Sequence, residues 1–279
     1  MNTLIINRHD IRRLVDSIGL DTLMAEMITR LKTSFANVHT GDISTPARSG
    51  FSYHRPQLGL VKWMPAMQTE GPVCVKMVDY HPSNPSTLNL PTILSTTSLY
   101  DTRTGHLLGL ADATFLTALR TGAASAVATS WLALEDSKVL GLIGCGAQAV
   151  TQAHAIPLAL PELQEILFFD TDDATMASLP ERLAPLGINA SAKAATLDEL
   201  VPNADIICTA TSVDVAGGPV FPDGKEKSWL HINAVGSDFP GKTEVPLALL
   251  RRAIVCPDFK EQAIAEGECQ QLGPDEIWH

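Results

Sequence analysis

Val139-Leu-Gly-Leu-Ile-Gly-Cys-Gly-Ala-Gln-Ala-Val150 lies near the middle of a 279-residue chain, and its reading decides the fold. An apolar run enters a glycine turn and continues into small, helix-favouring residues. Gly144-Cys-Gly-Ala-Gln-Ala149 is a G-x-G-x-x-A sequence. Its first glycine permits a tight turn, its second lets a pyrophosphate approach the backbone, and Ala149 allows helix and strand to pack closely. The amides at the helix start, from Gly146 through Ala147 and Gln148, would meet the phosphates. Small-residue turns are common in α/β domains, so the motif needs its context.

That context is a second strand, "EILFFD", ending at Asp170. A carboxylate there accepts from both ribose hydroxyls of NAD and repels the extra phosphate of NADP. Thr171, Asp172 and Asp173 offer no arginine for that phosphate, so charge favours NAD. The competing reading makes Asp170 a cap for the next helix. Further apolar runs at 189–192, 205–209, 230–234 and 253–256 alternate with helical or loop segments. This is the signature of a Rossmann-type, doubly wound parallel sheet.

Before residue 117 the pattern is mixed α+β. Residues 11–36 have helical period, with Leu14, Ile18, Leu23, Met27, Leu31 and Phe35 as the expected buried face. Val73–Tyr80 reads as a strand, and Leu94–Tyr100 with His106–Ala111 flank the turn "DTRTG" as a hairpin. Asp112 stands where it can cap the alanine-rich helix that follows. The expected organisation is a substrate-binding and dimerisation domain over 1–116 and an NAD-binding domain over 117–257. Residues 258–279 form a segment expected to return toward the first domain.

Apolar residues make up 45% of the chain and charged ones 18%, which places it among folded proteins. A net charge of −11 without a basic block argues against nucleic acid or an anionic membrane as partner. A few focused cations can still hold an anionic metabolite inside an acidic protein. The five cysteines form no C-x-x-C pair, and the N-terminus lacks the pattern of a signal peptide. Both features predict reduced thiols in a cytoplasmic protein. The histidines show no H-x-x-x-H spacing, and no metal is expected.

Four other stretches sharpen this reading: "VKMVDYHPSNP" (75–85), "RTGAASAVA" (120–128), "DIICTATS" (205–212) and "HINAVGSDFPGKTEV" (231–245). With the glycine motif they resemble the ornithine cyclodeaminase/mu-crystallin family, over about residues 45–267. The resemblance implies a homodimer that binds NAD and a small α-amino or α-imino acid, with hydride exchanged at the α-carbon. Arg48, Lys76 and Arg120 would hold and polarise the substrate around its carboxylate, and Asp238 would be the acid/base. Thr209, Thr211 and Ser212 would line the cofactor path, with Val235 and Gly236 near the nicotinamide.

The residues admit other roles. Arg120 in its apolar helix suits a substrate carboxylate or a structural ion pair. Arg48, among turn residues, either joins it or faces solvent. Strand alternation can turn Lys76 into a cleft or out to water. Asp238 can serve as a turn carboxylate before "FPG".

Basic-amino-acid cyclodeaminases of the family carry a glutamate before "MP" that meets the distal amine. Lys62 in "LVKWMP" stands at that place. A lysine repels an ornithine ammonium and favours a carboxylate, unless it faces solvent. The expectation is therefore an amino/imino-acid oxidoreductase acting on a small dicarboxylic substrate such as iminosuccinate/aspartate. Ornithine or lysine cyclodeaminase is the alternative enzyme, and a non-catalytic mu-crystallin-like binding protein the alternative class. The stretch after "EGE" is shorter than in the family. Completion of the first domain across a dimer, or a replaced or lost tail, would account for that.

Overall fold

The computed structural model describes residues 2–278. The chain divides into two compact units, Met1–Arg120 and Thr121–His279.

The first unit runs β1 (Leu4–Ile6), α1 (Arg8–Ile18), α2 (Leu20–Thr40), β2 (Ile43–Ser44), β3 (Ser49–Tyr53), β4 (Gly59–Gln68) and β5 (Val73–Tyr80). It continues through α3 (Asn84–Leu88), β6 (Ile93–Tyr100), β7 (Leu107–Asp112) and the start of α4 (Thr114–Leu132). Its sheet has the order β1-β7-β6-β5-β4-β2, with β3 also paired to β4. All pairings are antiparallel except β1 on β7. The hairpin around "DTRTG" forms as the turn residues require. The Asp112 carboxylate accepts from the Thr114 amide at 2.9 Å and so caps α4.

The helical stretch expected over 11–36 is two helices, separated at Gly19, whose φ of +88° a side chain would strain. The break also shifts the apolar face. Met24 and Ile28 are buried, whereas Leu14 and Ile18 lie on the surface.

The second unit contains β8 (Val139–Ile143), α5 (Ala147–Ala159), β9 (Glu165–Phe169), α6 (Asp173–Leu183), β10 (Ser191–Ala194), α7 (Leu197–Asn203) and β11 (Ile206–Thr209). β12 (His231–Ala234), α8 (Leu247–Arg252) and α9 (Lys260–Ala265) complete it. The strand order is β10-β9-β8-β11-β12, parallel throughout, so the chain reverses direction across the sheet beside β8. This is the doubly wound arrangement. Alternation along the strands feeds two cores. Leu140, Leu142, Ile166, Phe168, Ile206 and Cys208 pack with α5 and α6, while Ile143, Leu167 and Ile207 pack with α7 and α8.

Two expectations differ from the structure here. Residues 253–256 form no strand: Ile254 is exposed, and the Val255 carbonyl accepts from the Trp278 amide rather than from a neighbouring strand. The C-terminal segment places Cys269, Leu272 and Ile277 in the second unit's own core, because their apolar side chains complete the face covered by α7 and α8. Among the described residues no helix is long and apolar enough to cross a membrane.

Candidate active site

In the first unit, register puts two lysines on one face of the sheet. Lys62 on β4 stands opposite Val78, and Lys76 on β5 stands opposite Met64 and Thr97. Directly opposed residues share a face, as do residues two apart. Ser95, opposite Val78, lies on that face too, and its hydroxyl accepts from Thr117 of α4 at 3.0 Å. Thr117 and Arg120 are three residues apart, hence on one side of the helix. This contact holds Arg120 beside Lys76.

The electrostatics record that neighbourhood. Burial, then the charges of Arg120 and of Arg48, push the Lys76 ammonium down to about 7. A lysine in this setting is poised to regain its proton when an anion arrives. The structure thus brings Arg48, Lys76 and Arg120 together, and it turns Lys76 away from the outer surface. Lys62 is 8% exposed, which removes the solvent-facing reading. Its stem lies over Gly50, where an added Cβ would come within 2.9 Å of Lys62 Cγ.

In the second unit, the glycine turn has the form its sequence requires. Gly144 has φ +93°, and a Cβ there would lie 2.6 Å from the Ala210 carbonyl oxygen. Gly146 is different: an added Cβ would meet nothing within 4 Å. Packing does not demand a glycine at that position; access of a ligand to the backbone does. Gly146 opens α5, so the amides at Ala147 and Gln148 begin a helix with no intrahelical acceptors for its first turn. These features fit a dinucleotide pyrophosphate.

Asp170 accepts from the Cys145 amide at 2.6 Å and from the Asp172 amide at 2.9 Å. The cap of α6 is Asp172, which accepts from Thr175. Asp170 therefore stands at the glycine turn rather than at the helix start. Arg182 of α6, which no sequence motif places, grips the same turn from behind through the carbonyls of Cys145 and Gly146. Its guanidinium is thereby engaged by the protein itself.

Beyond the carboxyl ends of β11 and β12, the two loops are braced by buried charges. Glu244, fully buried, accepts from the Thr211 amide and hydroxyl, both at 2.6 Å, and from the Gly236 amide at 2.9 Å. A Cβ on Gly236 would collide with that carboxylate, which explains the glycine. Glu268 accepts from the Glu244 and Val245 amides and from the Ser237 hydroxyl, and burial pushes its carboxyl up. Asp238 leaves this frame partly exposed and pairs with Lys242 at 3.0 Å.

Among the residues expected along the cofactor path, Thr209 is fully buried at the end of β11. Thr211 is committed to Glu244, Ser212 is exposed, and the Val235 amide donates to the Thr209 carbonyl at 3.0 Å. Sequence reasoning misses Lys242, Glu244 and Glu268. The signal for the first two is the charged pair two apart in "GKTEV", a stretch otherwise made of turn and apolar residues.

A parallel sheet with an open glycine turn and an acidic residue ending the second strand defines a nucleotide-binding domain of the Rossmann class. The family model described as "Ornithine cyclodeaminase/mu-crystallin family" matches residues 8–279, and the chain belongs to that family. It is 41% identical to the L-lysine cyclodeaminase of Streptomyces rapamycinicus, across 99% of this chain and 80% of that protein.

Among solved structures, a lysine cyclodeaminase studied for recognition of L-lysine, L-ornithine and L-2,4-diaminobutyric acid superposes with a TM-score of 0.96 at 48% identity, covering 100% of this chain and 80% of the other. An archaeal alanine dehydrogenase dimer with bound NAD gives 0.86 at 30% identity, with 99% and 82% covered. The iminosuccinate reductase of Paracoccus denitrificans in complex with NAD+ gives 0.84 at 26%, with 99% and 84% covered.

Proposed function

We propose that this protein is an NAD-dependent enzyme that exchanges hydride at the α-carbon of an L-amino acid, and that it cyclises a linear diamino acid with release of ammonia. The observation that carries the first part is Lys76, held at about 7 by burial and by Arg120 and Arg48. Three cations in one neighbourhood favour an anion, and an amino acid's carboxylate suits planar guanidinium donors. The second part is supported by the lysine cyclodeaminase likeness along nearly the whole chain.

The glycine turn from Gly144 to Gln148, with Asp170, would hold the dinucleotide, and bound NAD supplies hydride exchange at the α-carbon. The chain's residues do the rest. Lys76, Arg120 and Arg48 bind the carboxylate and fix which bonds of the α-carbon are presented. Asp238 takes a proton from the α-amine as it becomes an imine. After the distal amine attacks that carbon, Asp238 returns a proton to the departing ammonia. Return of the hydride to the α-carbon of the ring imine completes the cycle, so no net NAD is consumed and an amino/imino-acid oxidoreductase becomes a cyclodeaminase.

Lys62 supports a second reading, reduction of a dicarboxylic imino acid, because a buried ammonium on the carboxylate-binding face favours an acidic side chain. One experiment separates them. Purified protein with NAD and L-lysine or L-ornithine should yield a cyclic secondary amino acid and one ammonia per turnover, without accumulated NADH. Aspartate formed from NADH, ammonia and oxaloacetate, with no cyclisation, would install the second reading. In that case Lys62→Glu should weaken the dicarboxylic substrate by about tenfold more than alanine or glycine; equal losses would remove Lys62 from substrate selection.

A further inference from the structure

We infer that Lys242 is the positioning residue for Asp238: it fixes the carboxylate that exchanges the substrate's proton, and it does so from beneath the loop. The inference rests on the reading of Asp238 as the acid/base.

The pair is lopsided. The Lys242 side chain is 4% exposed and that of Asp238 39%. A surface ion pair has both partners in water and contributes little. Here the cation is sunk in the protein and the anion is partly exposed, so the lysine limits where the carboxylate can point. The ammonium has a second anchor, the Thr211 carbonyl at 3.0 Å. Its own backbone is fixed as well: the Lys242 amide donates to the Phe239 carbonyl, and its carbonyl accepts from Gln270.

Lys242 therefore ties Asp238 to the loop after β11, and two residues on Glu244 ties that loop to Gly236. Asp238 itself donates its amide to the Gly236 carbonyl at 2.9 Å. The cross-brace joins the loops on either side of the β11–β12 carboxyl edge, where ligands of open α/β sheets bind. A lysine needed only for folding would have no reason to direct its charge at the one exposed carboxylate of the brace. A catalytic carboxylate on a glycine-flanked loop, by contrast, needs a fixed orientation before substrate arrives.

The test is a double-mutant cycle on the full chain with its diamino acid substrate. Lys242→Met should lower kcat about a hundredfold with KM changed less than about threefold, and Lys242→Arg should recover at least about a tenth of wild-type kcat. NAD affinity, read by fluorescence titration, should stay within about twofold, because the glycine turn is untouched. In an Asp238→Asn background, Lys242→Met should cost no more than about threefold, since no carboxylate remains to be placed.

A full hundredfold loss in that background would overturn the inference, because the lysine would then act through something else. A fully active Asp238→Asn protein would overturn the acid/base reading and this inference with it. If Lys242→Met does not fold, Lys242→Gln takes its place in the cycle, since it keeps a donor for the Thr211 carbonyl. A loss of kcat seen with Asp238 present and absent in the Asp238→Asn background supports the positioning role. An equal loss in both backgrounds overturns it.

Discussion

Two charges, one in each unit, Asp205 buried and Lys76 half-buried, are treated in opposite ways. Asp205 sits where β11 begins, and the fold satisfies it completely. Its carboxylate accepts from the Lys138 and Val139 amides at 2.9 and 3.0 Å, from Lys227 at 2.7 Å and from the Trp229 indole at 3.1 Å. Burial pushes its carboxyl up, but these donors outweigh it and bring it down to about 2. Lys76 has the reverse surroundings: burial and two guanidinium groups press it down to about 7. A charge answered by its own fold stabilises the fold. A charge set beside like charges lacks that support from them, and such a neighbourhood favours an arriving anion.

The largest effect that could break this contrast is on Lys76. Below pH 7 it is protonated in both folded and unfolded protein, and the folded state carries the full penalty. The penalty is relieved as pH rises from about 7 toward 10.5, where the unfolded chain still binds the proton and the folded one does not. Lys76→Met should therefore raise unfolding free energy by about 3 kcal/mol at pH 6, by less at pH 9, while abolishing turnover. Denaturant titrations at the two pH values check it; a destabilised variant would mean that the ammonium is already compensated inside the protein.

Asp205→Asn should move stability the other way and more modestly. Its carboxyl is depressed, so the stabilisation is present above about pH 4 and fades as pH falls through about 2. With solvent screening at the rim allowed for, the loss at pH 7 is about 1–2 kcal/mol. Turnover per folded molecule should be unchanged. A large drop in kcat with normal stability would erase the distinction between the two regions.

The parallel sheet was legible because its central strands β8, β9 and β11 are short, largely buried apolar runs, and the glycine turn because its residues follow from backbone geometry alone. The hairpin and the Asp112 cap were legible for the same local reasons. Legibility failed where one residue decides between similar patterns. Gly19 splits a continuous helical period, and residues 253–256 have strand composition but no neighbouring strand to pair with among the described residues. Asp170 has the sequence position of a helix cap, yet Asp172 fills that place.

The braces were the least visible part of the site. Arg182 meets a turn 36 and 37 residues earlier in the chain, and Glu268 meets Glu244 from 24 residues away. No local period encodes such contacts. Lys242 and Glu244 lie inside "GKTEV" and still escape notice, because a charged residue beside a turn ordinarily faces water.

The central claim is that the Lys76, Arg120 and Arg48 cluster binds a carboxylate, and proton uptake on binding tests it most directly. Calorimetric titration with propionate, which has no amine to titrate or oxidise, should be run at about pH 8 in buffers of different ionisation enthalpy. With Lys76 near 7, binding should draw about half to one proton from the buffer, and Lys76→Met should draw none. Binding without uptake, or the same uptake in the variant, would contradict the account.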